Sequence, residues 1–130
     1  MEYTDYTEKI VIGGEEYPLL FNVAALNEIT RRYGGIAELE TLVGGADSVS
    51  AALDEAIWLI LLFVNQHIKL HNFKNPDEAK SLVSSEYFEL ITSPDDFSMI
   101  QEAVSRTLNA GMRRFVSSAA DRNEDPTTDG

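Results

Sequence analysis

The chain has no cysteine among its 130 residues, which excludes disulfides, thiolate metal sites and cysteine nucleophiles and suits a reducing compartment. Basic residues are scarce: 10 Lys and Arg stand against 22 Asp and Glu, a formal charge of −12. Such a surface repels phosphate backbones and anionic lipid, so neither nucleic acid nor a membrane is expected as a partner. Long apolar runs are also missing. The strongest, Ala56 to Val64, is nine residues, well short of the ~20 that cross a bilayer. Asp54 and Glu55 precede it, and Asn65, Gln66 and His67 come after it. The N-terminus is acidic where a signal peptide would be basic, so a soluble protein is expected.

Catalytic motifs are just as thin. His67 and His71 are the only histidines; their i,i+4 spacing lets both face one ligand, but a catalytic zinc site needs a third ligand and usually a positioned base. Neither Lys69 nor Asn72 supplies them, so the pair reads as the solvated end of a helix and no metal is expected. The Gly-Gly pairs at 13–14, 34–35 and 44–45 are not followed by Lys-Ser/Thr and lack the GxGxxG spacing. One turn and two helix stops account for them. Of the carboxylate pairs, Asp54-Glu55, Asp77-Glu78 and Asp95-Asp96 fall at predicted helix starts, where acids offset the dipole; Glu15-Glu16 lies on a predicted strand. No nucleophile elbow is present. Arg113-Arg114 suits the end of a helix better than a nucleic-acid contact in so acidic a chain. No enzyme, cofactor or metal is expected.

What is present is the makings of one domain. Apolar residues are 44% and charged residues 25%, ordinary for a globular chain. The acidic excess gathers at the ends: Glu2, Asp5 and Glu8 without a base, then Asp121, Glu124, Asp125 and Asp129 against Arg122. The reading is an acidic extension over 1–8, a single globular domain over 9–116 and a disordered acidic tail over 117–130. Within the domain, a hairpin occupies 9–21 and helices occupy 22–116.

The hairpin is predicted from Lys9 to Phe21, with Gly13-Gly14 supplying positive φ and Pro18 marking an edge strand or an early end. Asn22 fits an N-cap for a helix over Val23–Tyr33, with Val23, Leu26, Ile29 and Tyr33 on one stripe, a Glu28–Arg32 pair, and Gly34-Gly35 as the stop. A short helix comes next over Ile36–Val43. The central helix, capped by Ser48 or Ser50 and running to about Leu70, is apolar over most of its circumference. Asn75-Pro-Asp-Glu78 and Ser93-Pro-Asp-Asp96 each signal a helix start. The first leads into Ala79, Leu82, Val83, Tyr87, Leu90 and Ile91 at helical spacing, which Ser84-Ser85 can break in two. The second leads into Phe97, Ile100, Val104, Leu108 and Met112 on one face, with Phe115 and Val116 beyond Gly111. The expected fold is mainly α with a short N-terminal β-hairpin (α+β), a small helical bundle around one central apolar helix.

The run Ile10-Val-Ile-Gly-Gly-Glu-Glu-Tyr-Pro-Leu-Leu-Phe21, then Ala24-Ala-Leu-Asn-Glu-Ile29 and Arg32-Tyr-Gly-Gly35, resembles the tail assembly chaperones of long-tailed bacteriophages and prophages. The Trp58-Leu-Ile-Leu-Leu-Phe-Val-Asn65 helix and the amphipathic C-terminal helix are similar to the family's remaining elements, so the likeness spans about residues 9–116. It implies a non-enzymatic factor of the host bacterial cytoplasm that binds and solubilises the helical tape measure protein, helps recruit tail tube protein, self-associates, and is absent from the mature virion. Many family members also have a longer form made by ribosomal frameshifting.

Binding a helix needs an exposed apolar groove. The candidate contact residues are Met112, Phe115 and Val116 near the end of the last helix, Tyr17 on the hairpin and Trp58 on the central helix; the competing reading for the first three is core. A free strand edge offers a route to self-association. Rival readings are a structural tail or head–tail connector or adaptor protein retained in the virion, and an acidic mimic of DNA. The mimic requires carboxylates spread over the body, whereas half the excess here lies in the ends.

Overall fold

The computed structural model describes residues 8–35 and 49–124, with side chains as far as Arg114. The predicted helix over 36–43, the Gly44-Gly45 stop and Ser48 lie outside the described residues. Within them the fold is the expected one, mainly α with an N-terminal hairpin packed on helices.

Strands β1 (Glu8–Ile12) and β2 (Glu15–Leu19) pair antiparallel, with Ile12 opposite Glu15 and Ile10 opposite Tyr17. Gly13 and Gly14 join them at φ 60° and 80°, the left-handed pair that matches the twist of a tight hairpin. Alternation turns Ile10, Ile12, Tyr17 and Leu19 inward and leaves Val11 outside. Pro18 stands opposite Lys9, a non-hydrogen-bonded position when the ladder is counted from a two-residue turn, so its missing N–H costs the ladder nothing.

Helix α1 (Val23–Tyr33) begins at Asn22, whose Oδ1 accepts from the Ala25 N–H at 2.9 Å. It ends at Gly34, φ 91°, where the left-handed cap suits glycine. Its inward face is Ala25 and Ile29, with Leu26 and Tyr33 half-buried. Val23, expected on the stripe, is 82% exposed, because the N-cap sets the rotation of the first turn and points it outward.

Helix α2 (Val49–Lys74) is the axis of the molecule. It runs four residues past the expected Leu70, since no glycine or proline interrupts it before Pro76. Ser50, a proposed cap, lies inside it. Leu59, Ile60, Phe63 and Val64 are wholly buried against β2, α1 and the two helices C-terminal to α2. By length and composition α2 could cross a membrane; 44% of its most apolar window is buried within the fold.

After α2 the structure departs from expectation. Asn75-Pro-Asp-Glu78 yields only a single 3₁₀ turn over Pro76–Glu78, and residues 79–84 run extended along α2. Two asparagines on α2 hold them there. The Asn72 amide donates to the Lys80 carbonyl and accepts from its N–H, both at 2.8 Å. Asn65 does the same for Val83, at 3.0 and 2.8 Å. Each carboxamide satisfies both backbone polar groups, the N–H and the C=O, of one residue, which removes the need for a helix. Helix α3 (Ser85–Ile91) then starts at Ser84, whose Oγ accepts from the Tyr87 N–H. At seven residues it buries Phe88 alone, leaving Tyr87 and Leu90 exposed despite their helical spacing.

The second Pro-Asp signal behaves as predicted. A turn over Pro94–Asp96, with the Asp96 carboxylate accepting from the Ser93 N–H at 3.0 Å, leads into α4 (Phe97–Glu124). Ile100, Ala103, Val104 and Leu108 are buried, and Phe97 and Met112 are half-buried on the same face. The helix continues through 117–124, part of the stretch expected to form the tail; Ser117-Ser-Ala-Ala-Asp-Arg-Asn-Glu124 contains neither proline nor glycine to stop it.

Candidate functional site

Among the described residues, nothing fully covers the first half of α2. Where α3 ends and α4 begins, a cleft of about 400 Å³ opens over it. Leu53 and Ile57 from α2 and Phe97 and Ile100 from α4 form its apolar surface, and Pro94 and Thr92 close one side. Val49 and Leu53 are 73% and 38% exposed, and Leu90 on the neighbouring α3 is 79% exposed. The ionisable side chains lining the cleft are Asp54 and Glu89.

A second cleft of about 550 Å³ lies on the other side of this acidic pair. Trp58, Leu61 and Leu62 line it from α2, and Leu82 and Val83 line it from the extended strap. Asp54, Ile57 and Glu89 border both clefts, so the two form one trough along α2 with a carboxylate ridge between them; Glu28, Arg32 and Lys69 also line the second cleft. The asparagine clamps therefore position a wall of the site: a helical 79–84 would take a different path.

Trp58 is set rigidly at the edge of the trough. The Arg32 guanidinium stacks over its indole, 4.4 Å from the ring centroid, and Tyr33 meets it edge-on at 5.9 Å. Arg32 reaches both oxygens of Glu55 at 3.3 and 3.4 Å, and the Tyr33 hydroxyl also donates to Glu55. The expected Glu28–Arg32 pair is thus replaced: Glu28 pairs with Arg31 at 3.4 Å, because Arg32 gains a bidentate partner and an aromatic face at once. Burial opposes ionisation of Glu55, but the hydrogen bonds from Tyr33 and Arg32 and the guanidinium charge outweigh it, holding the carboxyl below its ordinary value. Burial, then the bond to Glu55, pushes the Tyr33 phenol up to about 12.

The proposed contact residues are dispersed. Trp58 lines the trough. Met112 is half-buried elsewhere, beside Phe21, Val23 and Leu26 in a smaller cavity of about 270 Å³ where α4 meets α1. Tyr17, expected at the contact surface, is a core residue, 7% exposed. Strand alternation turns it onto Phe88, with ring centroids 6.3 Å apart, and its hydroxyl donates to Glu15 at 3.2 Å. Phe115 and Val116 lie on α4, with side chains outside the described residues. Sequence reasoning missed Leu53, Phe97 and Glu89, and it assigned Asp54 only to the helix dipole. The available signal was that α2 has apolar residues on more faces than its neighbours can cover.

The histidines serve local structure. His71 Nε2 lies 3.0 Å from the Glu78 carbonyl. Burial, then the charge of Lys80, depresses the His67 pKa. Among the described residues no three His, Asp or Glu side chains converge to hold a metal. The arrangement offers shape, apolar area and, at the α3–α4 end, negative charge, which are the elements of a binding surface.

No family model matches the chain, and no curated protein or solved structure matches it either.

Proposed function

We propose that this protein is a tail assembly chaperone of a long-tailed bacteriophage or prophage. It is non-enzymatic, binds and solubilises the helical tape measure protein in the host cytoplasm, helps recruit tail tube protein, and is left out of the mature virion. The observation that carries this reading is the open trough along α2, where Leu53, Trp58, Leu62 and Phe97 line clefts beside the core. An amphipathic helix laid into such a trough buries its apolar stripe against α2. The resemblance of the hairpin and α1 sequences to the family supplies the identity of that helix.

Co-expression with the tape measure protein, then affinity capture, is the test. The wild-type chain is expected to retain the tape measure protein in solution. Leu53→Glu, at a 38% exposed position in the trough, is expected to lower recovery at least about tenfold, because it sets a carboxylate against the apolar stripe of the bound helix, with little change in the melting curve of the free protein. Absence of a complex with the wild-type chain refutes the reading. Mass spectrometry of purified virions adds a second check: the chain as a stoichiometric component would identify a structural tail or connector protein instead.

A further inference from the structure

We infer that the trough along α2, at its α3–α4 end, selects an amphipathic helix whose apolar stripe is bordered by lysine or arginine, and that Asp54 and Glu89 make the selection. This rests on the reading that the protein binds helical partners, and it adds the chemical class of helix. Asp54 and Glu89 are the charged groups lining the cleft at the α3–α4 junction; they also border the cleft beside Trp58, where Glu28, Arg32 and Lys69 add charges of both signs. Ion pairs among the described residues join Lys9 to Glu16, Arg31 to Glu28, Arg32 to Glu55 and Arg106 to Glu8; neither ridge carboxylate takes part in one. Both are exposed in the free protein. Seating a helix over Leu53 and Ile57 removes water from beside them, a loss that a cationic side chain on the incoming helix offsets and an acidic one aggravates.

The same charges oppose a second copy of the chain as the occupant. Each copy carries −12, and the apolar residues it could offer from α3, Tyr87 and Leu90, are interleaved with Glu86 and Glu89. Docking them into a partner's trough would bring carboxylate against carboxylate. The occupant is a different, basic chain.

Two labelled helical peptides test this. They share one apolar stripe and differ only in flanking residues, Lys and Arg in one, Glu in the other. Fluorescence anisotropy with the full chain measures each at low (about 0.05 M) and high (about 0.5 M) salt. The basic peptide is expected to bind about tenfold more tightly than the acidic one at low salt, with the gap closing at high salt. Asp54→Asn with Glu89→Gln, which preserves side-chain volume, is expected to remove most of that preference, and Leu53→Glu to weaken both peptides. Circular dichroism melts confirm that each variant is folded. Equal binding of the two peptides, or a preference that survives the double substitution, overturns the inference. So does a dimer, seen by sedimentation, that Leu53→Glu dissociates. Capture of the tape measure protein without charge preference topples only this inference; charge preference without capture topples the proposed function and leaves the trough's selectivity standing.

Discussion

At Gly111 the ring of Phe21 lies so close to the α4 backbone that a β-carbon would fall inside it. An alanine in a helix interior is ordinarily worth up to about 1 kcal/mol over glycine, so the sign of Gly111→Ala discriminates. Here the substitution is expected to destabilise by about 1–3 kcal/mol in urea unfolding, the usual cost of overpacking. Adding Phe21→Leu is expected to recover part of the loss. Two tyrosines make a second case. Burial, then the neighbouring Glu15 carboxylate, pushes Tyr17 up to about 12, and Tyr33 reaches about 12 through burial and Glu55. A folded pKa above the unfolded value of about 10 means that the native state holds the proton more tightly. The associated stability is therefore complete below pH ~10 and disappears as pH rises towards ~12. Alkaline absorbance titration is expected to show Tyr17 and Tyr33 ionising late, and Tyr33→Phe is expected to remove one of these late steps. The partners behind these effects were hidden in the sequence. Helical spacing pointed Arg32 at Glu28, whereas Glu55 and Trp58, a helix away, take it.

Elements were legible where their end signals are local. Gly13-Gly14, Asn22, Gly34, Ser84 and Ser93-Pro-Asp-Asp96 all act within a few residues of themselves, and each marks a boundary observed in the fold. Asn75-Pro-Asp-Glu78 carries as good a local signal, yet it leads into an extended strap. Asn65 and Asn72, two turns apart on α2, capture the peptide units of Val83 and Lys80 before a helix can use them. Asn65→Ala or Asn72→Ala is expected to cost about 1–2 kcal/mol through loss of two hydrogen bonds. Hydrogen exchange of the Val83 or Lys80 amide, respectively, is expected to accelerate by at least about tenfold as that end of the strap opens locally. The strap forms a wall of the trough, so either variant is also expected to weaken helix binding; unchanged exchange at both amides would count against the clamp.

For the whole molecule, β2, α1, α3 and α4 all pack on α2, so no peripheral element has a separate core. Phe63 is fully buried at the centre of this arrangement and stacks at 5.5 Å on Phe21. Phe63→Ala is expected to destabilise by about 3–5 kcal/mol. Far-ultraviolet circular dichroism and Trp58 fluorescence are expected to report one coincident transition; separate transitions would show that the hairpin or α4 folds apart from α2. The amino-acid pattern by itself determined the fold class, the hairpin with its Gly13-Gly14 turn and the central place of the long apolar helix, because turn chemistry and hydrophobic period act along the chain. Only the tertiary structure decided that Tyr17 faces inward while Leu90 faces out, and that Asp54 and Glu89 stand together over an uncovered stretch of α2. Periodicity states which face of an element is apolar; whether that face is covered depends on the length and placement of elements distant in sequence, and seven-residue α3 is too short to cover the face it lies beside.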